Sequence, residues 1–325
     1  MPFVTTSSRL RLLFTGGGGA GTEALNRLLR DRYDVHFADA DPDARPHSVP
    51  LDSWHNIPFA SAPSFVEQLL ELCRELDVDV LLPGVDEELL PIAKVCAAIA
   101  FEVLLPPAEF IATHLDKLTS NARLKALGLP IPETEPLPDR RRVSFPCIVK
   151  PRHGRGSRQV AAVRSEEELR AHVVLSRRPP DDFIVQQLLE GQEYTVTMVA
   201  DRTGMLRAVV PVKVGTKRGV TLRAETDRDE AVIAACAAIH RAQPVAGCFN
   251  IQLVKPETGA VKPFEINPRI STTTCLALAA GVDFVGLYLG GGRALNERAS
   301  DLASFRDHFR LKRSWNNEFL PPEKE

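Results

Sequence analysis

The sequence predicts an α/β protein in two parts: a parallel-sheet unit over about the first hundred residues, then a mixed α+β unit made of hairpins. Three observations predict it. Short apolar runs alternate with amphipathic stretches from Leu10 to Leu105. After Pro106-Pro107 that alternation gives way to glycine loops and returning strands. Finally, two strand-like runs, 249–254 and 261–266, are joined by a short turn and end in Glu265-Ile-Asn-Pro-Arg269. Alternating strands and helices imply a parallel sheet covered on both faces, with a crevice at the carboxyl ends of its strands.

In order, Leu10-Arg-Leu-Leu-Phe-Thr15 is a strand that runs into Gly16-Gly-Gly-Gly-Ala-Gly21 and then a helix over 22–30. A strand over 34–40 follows, then a helix over 64–76 with Phe65, Leu69, Leu72 and Leu76 on one face. Residues 78–83 are a third strand, 87–98 a helix and 101–105 a fourth strand. Beyond the prolines, 113–127 reads as one helix stopped by Gly128, and 145–151 as a strand carrying Lys150. His153-Gly-Arg-Gly-Ser157 is a basic flexible loop and 160–163 a returning strand, together a hairpin flap. Ser165 caps the next helix, with Glu168 placed for the reciprocal contact. Strands over 183–187, 193–199 and 205–214, a helix over 228–240, the hairpin, and a helix over 273–281 complete the pattern. The polar stretch 293–325 is expected to be a surface helix or partly disordered.

Lys plus Arg number 40 and Asp plus Glu 42, a net charge of -2, so no overall field recruits nucleic acid or an anionic membrane. The start of the chain lacks a charged segment followed by an apolar core, and a cytoplasmic location is the expectation. Six cysteines form no C-x-x-C pair and read as buried thiols.

The hairpin carries the strongest chemistry. Alternation puts Glu265 and Asn267 on one face, and antiparallel closure brings Gln252 beside Glu265, with Arg269 just beyond. Oxygen donors suit Mg²⁺ held together with phosphates, and a guanidinium suits a phosphoryl group. Alone, the string is more often a solvated hairpin face. A rival signal is Gly16-x-Gly18-x-x-Gly21 with Asp39 nearby, which fits a dinucleotide fingerprint. It implies NAD(P) binding, yet nothing downstream supplies a hydride-transfer site; a tight turn without a ligand is the commoner fate of such a loop.

Four pieces, in this order, resemble the ATP-grasp superfamily, and within it the carbamoyl-phosphate-synthetase-like carboxylate–amine ligases. They are Leu115-Asp-Lys117, Phe145-Pro-Cys-Ile-Val-Lys-Pro-x-x-Gly-x-Gly-Ser157, Ile184-Val-Gln-Gln-Leu-Leu-Glu-Gly-Gln-Glu-Tyr194, and Phe249-Asn-Ile-Gln252 through Phe264-Glu-Ile-Asn-Pro-Arg269. The resemblance spans about residues 10 to 290. It implies a Rossmann-like pre-ATP-grasp domain (1–107), a small lobe with a glycine-rich flap (108–186), a large lobe with the metal site (187–290) and a tail (291–325). By the same resemblance Lys117 and Lys150 bind nucleotide phosphates, Gly156 and Ser157 close over them with Arg155, and Gln186, Gln187, Leu188 and Leu189 form the hinge that reads adenine. Glu193 holds the ribose, Gln252, Glu265 and Asn267 hold one or two Mg²⁺ (Mn²⁺ as a substitute), and Arg269, Lys150 and Asn267 are catalytic. Two departures stand out: glutamine at 252, where many ligases of the superfamily have an acid although the carbamoyl-phosphate-synthetase-like branch also uses glutamine, and Gln159 where the flap usually has a second glycine.

The implied reaction uses ATP to phosphorylate a small-molecule carboxylate, and an amine then displaces phosphate to form an amide or peptide bond. Residues 213–223, with Lys213, Lys217 and Arg223, are the expected mobile loop facing the acceptor. The alternatives are a kinase-like enzyme that stops at a phosphorylated product and, further off, an NAD(P)-binding oxidoreductase. A homodimer is compatible with this reading; nucleic-acid and membrane partners are not expected.

Overall fold

The computed structural model describes residues 9–290 and 302–315. The first sheet is parallel, built from β1 (Arg11–Thr15), β2 (Asp34–Asp39), β3 (Trp54–Asn56), β4 (Val80–Leu82) and β5 (Glu102–Val103) in the order β3-β2-β1-β4-β5. Helices α1 (Thr22–Leu29), α2 (Phe65–Glu75) and α3 (Asp86–Val95) connect the strands. Strand alternation sorts the two faces. Leu12, Phe14, Phe37, Val80 and Leu82 enter one core with Leu25 and Leu29 of α1, whereas Leu13, Ala38 and Leu81 meet Phe65, Leu69, Leu89 and Ile92 of α2 and α3. Strand order reverses beside β1, so the ends of β1 and β4 flank the crevice.

The expected single helix over 113–127 is two, α4 (Ala108–Leu115) and α5 (Lys117–Ala126), which break at Asp116. Asp116 has an extended backbone and its carboxylate accepts from the N–H groups of Leu118 and Thr119, a local cap that ends one helix and starts the next. A four-stranded antiparallel sheet follows, ordered β6 (Thr134–Pro136), β9 (Phe183–Gln187), β7 (Cys147–Pro151), β8 (Ala161–Val163), with α6 (Glu166–Ser176) inserted before β9. It has its own small core of Val143, Cys147, Val149, Val163, Leu169, Phe183 and Val185. Ser165 caps α6 at the Glu168 N–H, but the Glu168 carboxylate accepts from Arg164 N–H, one residue upstream of the expected partner.

The largest sheet is ordered β14-β13-β10-β11-β12-β15, from β10 (Gln192–Ala200), β11 (Leu206–Arg218), β12 (Val220–Thr226), β13 (Gly247–Lys255), β14 (Lys262–Asn267) and β15 (Arg310–Lys312). Helix α7 (Glu230–Ala242) packs Val232, Cys236 and Ile239 against Val196, Met198 and Ile251. Helices α8 (Thr274–Ala279) and α9 (Phe284–Leu289) fill the opposite side. Their Cys275, Phe284, Val285 and Tyr288 lie in the same core as Leu12, Phe14 and Phe37 of the first sheet and Val199, Ala208, Val210 and Cys248 of the largest. The two sheets therefore share one interior.

Two expectations are corrected here. Residues 213–223 are mostly ordered strand, because β11 runs on to Arg218 and turns back at Gly219 into β12. Part of the expected tail is also structured: β15 pairs with β12. Residues 291–301 and 316–325 lie outside the described residues. All six cysteines are free thiols. Among the described residues no helix is long and apolar enough to cross a membrane.

Candidate functional site

Strands β13 and β14 pair antiparallel with Gln252 opposite Glu265 and Asn250 opposite Asn267, and a bulge follows the Gln252 pair. Glu265 and Asn267 therefore share a face with Gln252. The side-chain amides of Gln252 and Asn267 make no hydrogen bond among the described residues, whereas that of buried Asn250 is tied to Arg269 O and Ser271 Oγ. Across from them, Lys150 at the end of β7 is 3% exposed. Its Nζ donates to Gln186 Oε1 at 3.0 Å and lies 3.9 Å from Glu265 Oε2. Burial lowers the Lys150 ammonium to about 8, partly offset by Glu265 and reinforced by Lys117 and Lys217. Burial raises Glu265, but Lys117, Lys150, Lys217 and Arg269 outweigh it and hold the carboxyl below its usual value. The result is an ionised carboxylate flanked by two unengaged amide groups in a field of four cations.

That donor set fits Mg²⁺ held jointly with phosphates. One carboxylate and two neutral oxygens are too weak a cage alone, and no cluster of three His, Cys, Asp or Glu suited to a metal occurs among the described residues. Phosphate oxygens would supply the missing charge and ligands.

The other expected residues are placed as follows. Lys117, 7% exposed, opens α5 and donates Nζ to the flap carbonyl of Gly154 at 2.7 Å. Gly156 and Ser157 lie in the flap with φ of 71° and 56°. Gly156 also abuts the β11–β12 turn, since a methyl group on Gly219 would stand 3.6 Å from its carbonyl oxygen. Gln159, which replaces the flap's usual glycine, adopts φ 58°, a conformation costing a non-glycine residue about 1 kcal/mol. Its amide donates to Ser176 O at 2.9 Å, so the side chain anchors the flap to the end of α6.

Gln186 is buried with both ends of its amide engaged: Oε1 takes Lys150 and Nε2 gives to Thr134 Oγ1 at 2.8 Å. It braces the lysine, while Gln187, Leu188 and Leu189 carry the chain out of β9 toward β10. Glu193 is paired with Lys217 at 2.9 Å. Lys217, expected to face an acceptor, thus sits among the groups around Glu265 and Lys150. Arg269 is paired with Asp86 in α3, and Arg155 with Glu87 at 3.1 Å.

The first amides of the glycine run are engaged within the protein. Gly17 N–H gives to Ala38 O, Gly18 N–H to the Asp39 carboxylate at 2.8 Å and Gly19 N–H to Gly16 O. A Cβ on Gly17 would meet the Trp54 ring at 2.7 Å, and one on Gly18 would meet Ala44 Cβ at 2.5 Å. These three amides are therefore taken by the protein itself.

Comparison with known proteins gives the following likenesses. Residues 179–314 match the family model described as ATP-grasp in the biosynthetic pathway with Ter operon. The match takes in the hinge, the ribose candidate and the whole Gln252–Arg269 set. This stretch of the chain is similar to the ATP-grasp family. The chain is 24% identical over 318 residues to the N-terminal section of the carbamoyl phosphate synthase large chain of Aquifex aeolicus, covering 88% of this chain and 56% of that one. Other large chains are spanned to 16% and 28% of their length. By fold it is similar to the L-amino acid ligase of Bacillus licheniformis (TM-score 0.66, 17% identity, 87% of this chain and 74% of that one). It is also similar to the biotin carboxylase domain of Hydrogenobacter thermophilus 2-oxoglutarate carboxylase, solved with MgADP, ADP and bicarbonate (0.65, 17%, 88% and 70%).

Acidic residues around the candidate site carry little signal in the sequence. Asp86 and Glu87 pair with Arg269 and Arg155 across gaps of 183 and 68 residues, which no local pattern encodes. Glu88, buried beside them, accepts from Thr15 Oγ1, and burial pushes its carboxyl up to about 7. The role of Asp116 did leave a signal, an aspartate two and three residues before the N–H groups it caps. It also clamps Arg152 in bidentate fashion at 2.8 and 2.6 Å, which locks the Asp116-Lys117 corner against the strand bearing Lys150. Asp116→Ala is therefore expected to destabilise by about 2 kcal/mol and to weaken nucleotide binding by about tenfold as Lys117 loosens. Urea unfolding and nucleotide titration check the two effects, and unchanged affinity would separate the corner from the site.

Proposed function

We propose that this protein is an ATP-dependent ligase that activates a small-molecule carboxylate as an acyl phosphate and joins it to an amine. The observation that carries the reading is the buried Lys150 set against Glu265, with the unengaged Gln252 and Asn267 amides and the Arg269 guanidinium on the same side. This is equipment for positioning and neutralising a triphosphate. Lys117 and Lys150 would hold the phosphates, Gly156 and Ser157 cover them, Gln187 to Leu189 read the base, and Glu193 the ribose once it leaves Lys217. Gln252, Glu265 and Asn267 would hold Mg²⁺, which supplies charge neutralisation at the transferring phosphoryl group. In this assignment residues 1–107 are the pre-ATP-grasp domain, 108–186 and 187–290 the two lobes.

A carboxylate oxygen attacks the γ-phosphorus as the bond to the β-γ bridging oxygen breaks, giving ADP and an acyl phosphate. The amine nitrogen then adds to the acyl carbon, phosphate leaves with the former carboxylate oxygen, and the amine gives up a proton. Arg269 would neutralise the oxyanion in both steps. The fold likeness to an L-amino acid ligase supports amino acids as first candidates for both substrates; bicarbonate, present in the carboxylase structure, is a small oxyanion to include beside them.

The test is ADP release with Mg·ATP across a matrix of carboxylates and amines, preceded by thermal shift with a non-hydrolysable ATP analogue, NAD⁺ and NADP⁺. ADP release that requires both a carboxylate and an amine is the expected result. Release with a carboxylate alone and a stable phosphorylated product would make the protein a kinase. Stabilisation only by a nicotinamide nucleotide would overturn the reading.

A further inference from the structure

Arg269 lies just beyond β14 of the largest sheet, yet its anchor is on α3, a helix that covers the first sheet. Its Nε donates to Asp86 Oδ1 and its Nη1 to Ile270 O at 3.1 Å, while Nη2 has no hydrogen-bond partner among the described residues. Both charged side chains are 14% exposed. Asp86 opens α3, where a carboxylate is stabilised by the positive end of the helix. The next two residues hold other parts of the same crevice: Glu87 takes flap Arg155, and Glu88 takes Thr15 at the end of β1.

We propose that Asp86 is a positioning residue for phosphoryl transfer, holding Arg269 by its Nε edge so that Nη2 is presented to the oxyanion; this rests on the site reading given above. A guanidinium is planar with five donors in a fixed fork. Anchored at Nε and Nη1, it has one terminal nitrogen left and little freedom to turn it, so its rotamers are restricted before any ligand arrives. A free arginine must be ordered when the phosphoryl group moves, and that cost falls on the transition state. The charge of Arg269 acts on Glu265, which puts the anchored group within electrostatic range of the proposed metal carboxylate. A pair serving stability alone has no need of a nearly buried guanidinium with one end unengaged.

The test separates ADP binding from recognition of the phosphoryl group. Thermal shifts and titrations are recorded with Mg·ADP, then with Mg·ADP plus aluminium fluoride as a phosphoryl mimic, on wild type, Asp86→Ala and Asp86→Asn. Wild type is expected to gain further stabilisation from the fluoride. Asp86→Ala should keep its Mg·ADP response, set by Lys117, Lys150 and Glu265, and lose about tenfold or more of the additional affinity for the mimic. Asp86→Asn keeps the shape and an oxygen acceptor for Nε, so it should fold even where the alanine variant does not, and it should lose part of the gain. A full fluoride gain in either folded variant overturns the proposal, as does a wild type that answers Mg·ADP and gains nothing from fluoride. Proportional loss of both responses would make Asp86 merely structural. A wild type without any Mg·ADP response would instead count against the nucleotide site itself.

Discussion

Glu265→Gln is expected to reduce ADP formation by at least about a hundredfold while leaving the protein folded. The substitution keeps the side-chain volume on β14 but removes the only carboxylate of the proposed donor set, leaving neutral amide oxygens at all of its positions. Without that charge the phosphates alone must hold Mg²⁺. Glu265 is also the anion 3.9 Å from buried Lys150, so its loss removes the opposite charge that partly offsets the lysine's desolvation. The decisive readout is the Mg²⁺ dependence of nucleotide stabilisation: it should be steep in wild type and flattened in the variant. Turnover within a few-fold of wild type, or an unchanged Mg²⁺ dependence, would remove Glu265 from the site.

Lys150→Met should weaken triphosphate binding by about ten- to a hundredfold, the worth of a charge-assisted contact made where water is excluded. Methionine fills the same buried volume, so the loss reports charge rather than a cavity. The pH behaviour sharpens the test. With the ammonium drawn down from 10.5 to about 8, native Lys150 gives up its proton above about pH 8, whereas the unfolded chain keeps it until 10.5. Between those values the unfolded state binds more protons, so the free protein gains stability from this group as pH rises. Nucleotide binding runs the other way, because the phosphates need the charged lysine: affinity should fall by up to about tenfold per unit above pH 8. Calorimetric titration from about pH 7 to 9.5 should show that fall in wild type and a flat profile in Lys150→Met. Equal slopes in the two proteins would mean that another group titrates.

How much of this was legible depended on how far apart the interacting residues stand. The first sheet could be read because Leu12, Leu13 and Phe14 carry their two-face assignment within three residues and the helices repeat it at their own period. The Gln252–Glu265 register followed from one short turn. Arg218 and Lys217 were misread as loop because the polar, glycine-punctuated run that contains them is held in β11 by pairing with β12 and not by its own propensity. Only three residues of β15 make a strand, and they pair about ninety residues upstream, where no composition signal reaches. Asp86 reaches its partner, Arg269, across 183 residues of sequence, from α3 to the turn after β14. Gln159 was visible as a departure, but not that its backbone would be forced to a positive φ and its side chain enlisted to hold the flap.

The interior shared by the first and largest sheets has a consequence for how the chain comes to be folded. Leu12, Phe14 and Phe37 are made early, yet the face they form is closed by Phe284, Val285 and Tyr288. As the chain leaves the ribosome, the parallel sheet can cover its α2 and α3 side at once, but its other side, with only α1 over it, stays partly open to water until about 180 further residues have followed. Contacts of such long sequence separation form slowly. The α1 side of the young sheet is therefore the surface a chaperone would meet during synthesis, and the last helices, rather than the first domain's own residues, complete its burial.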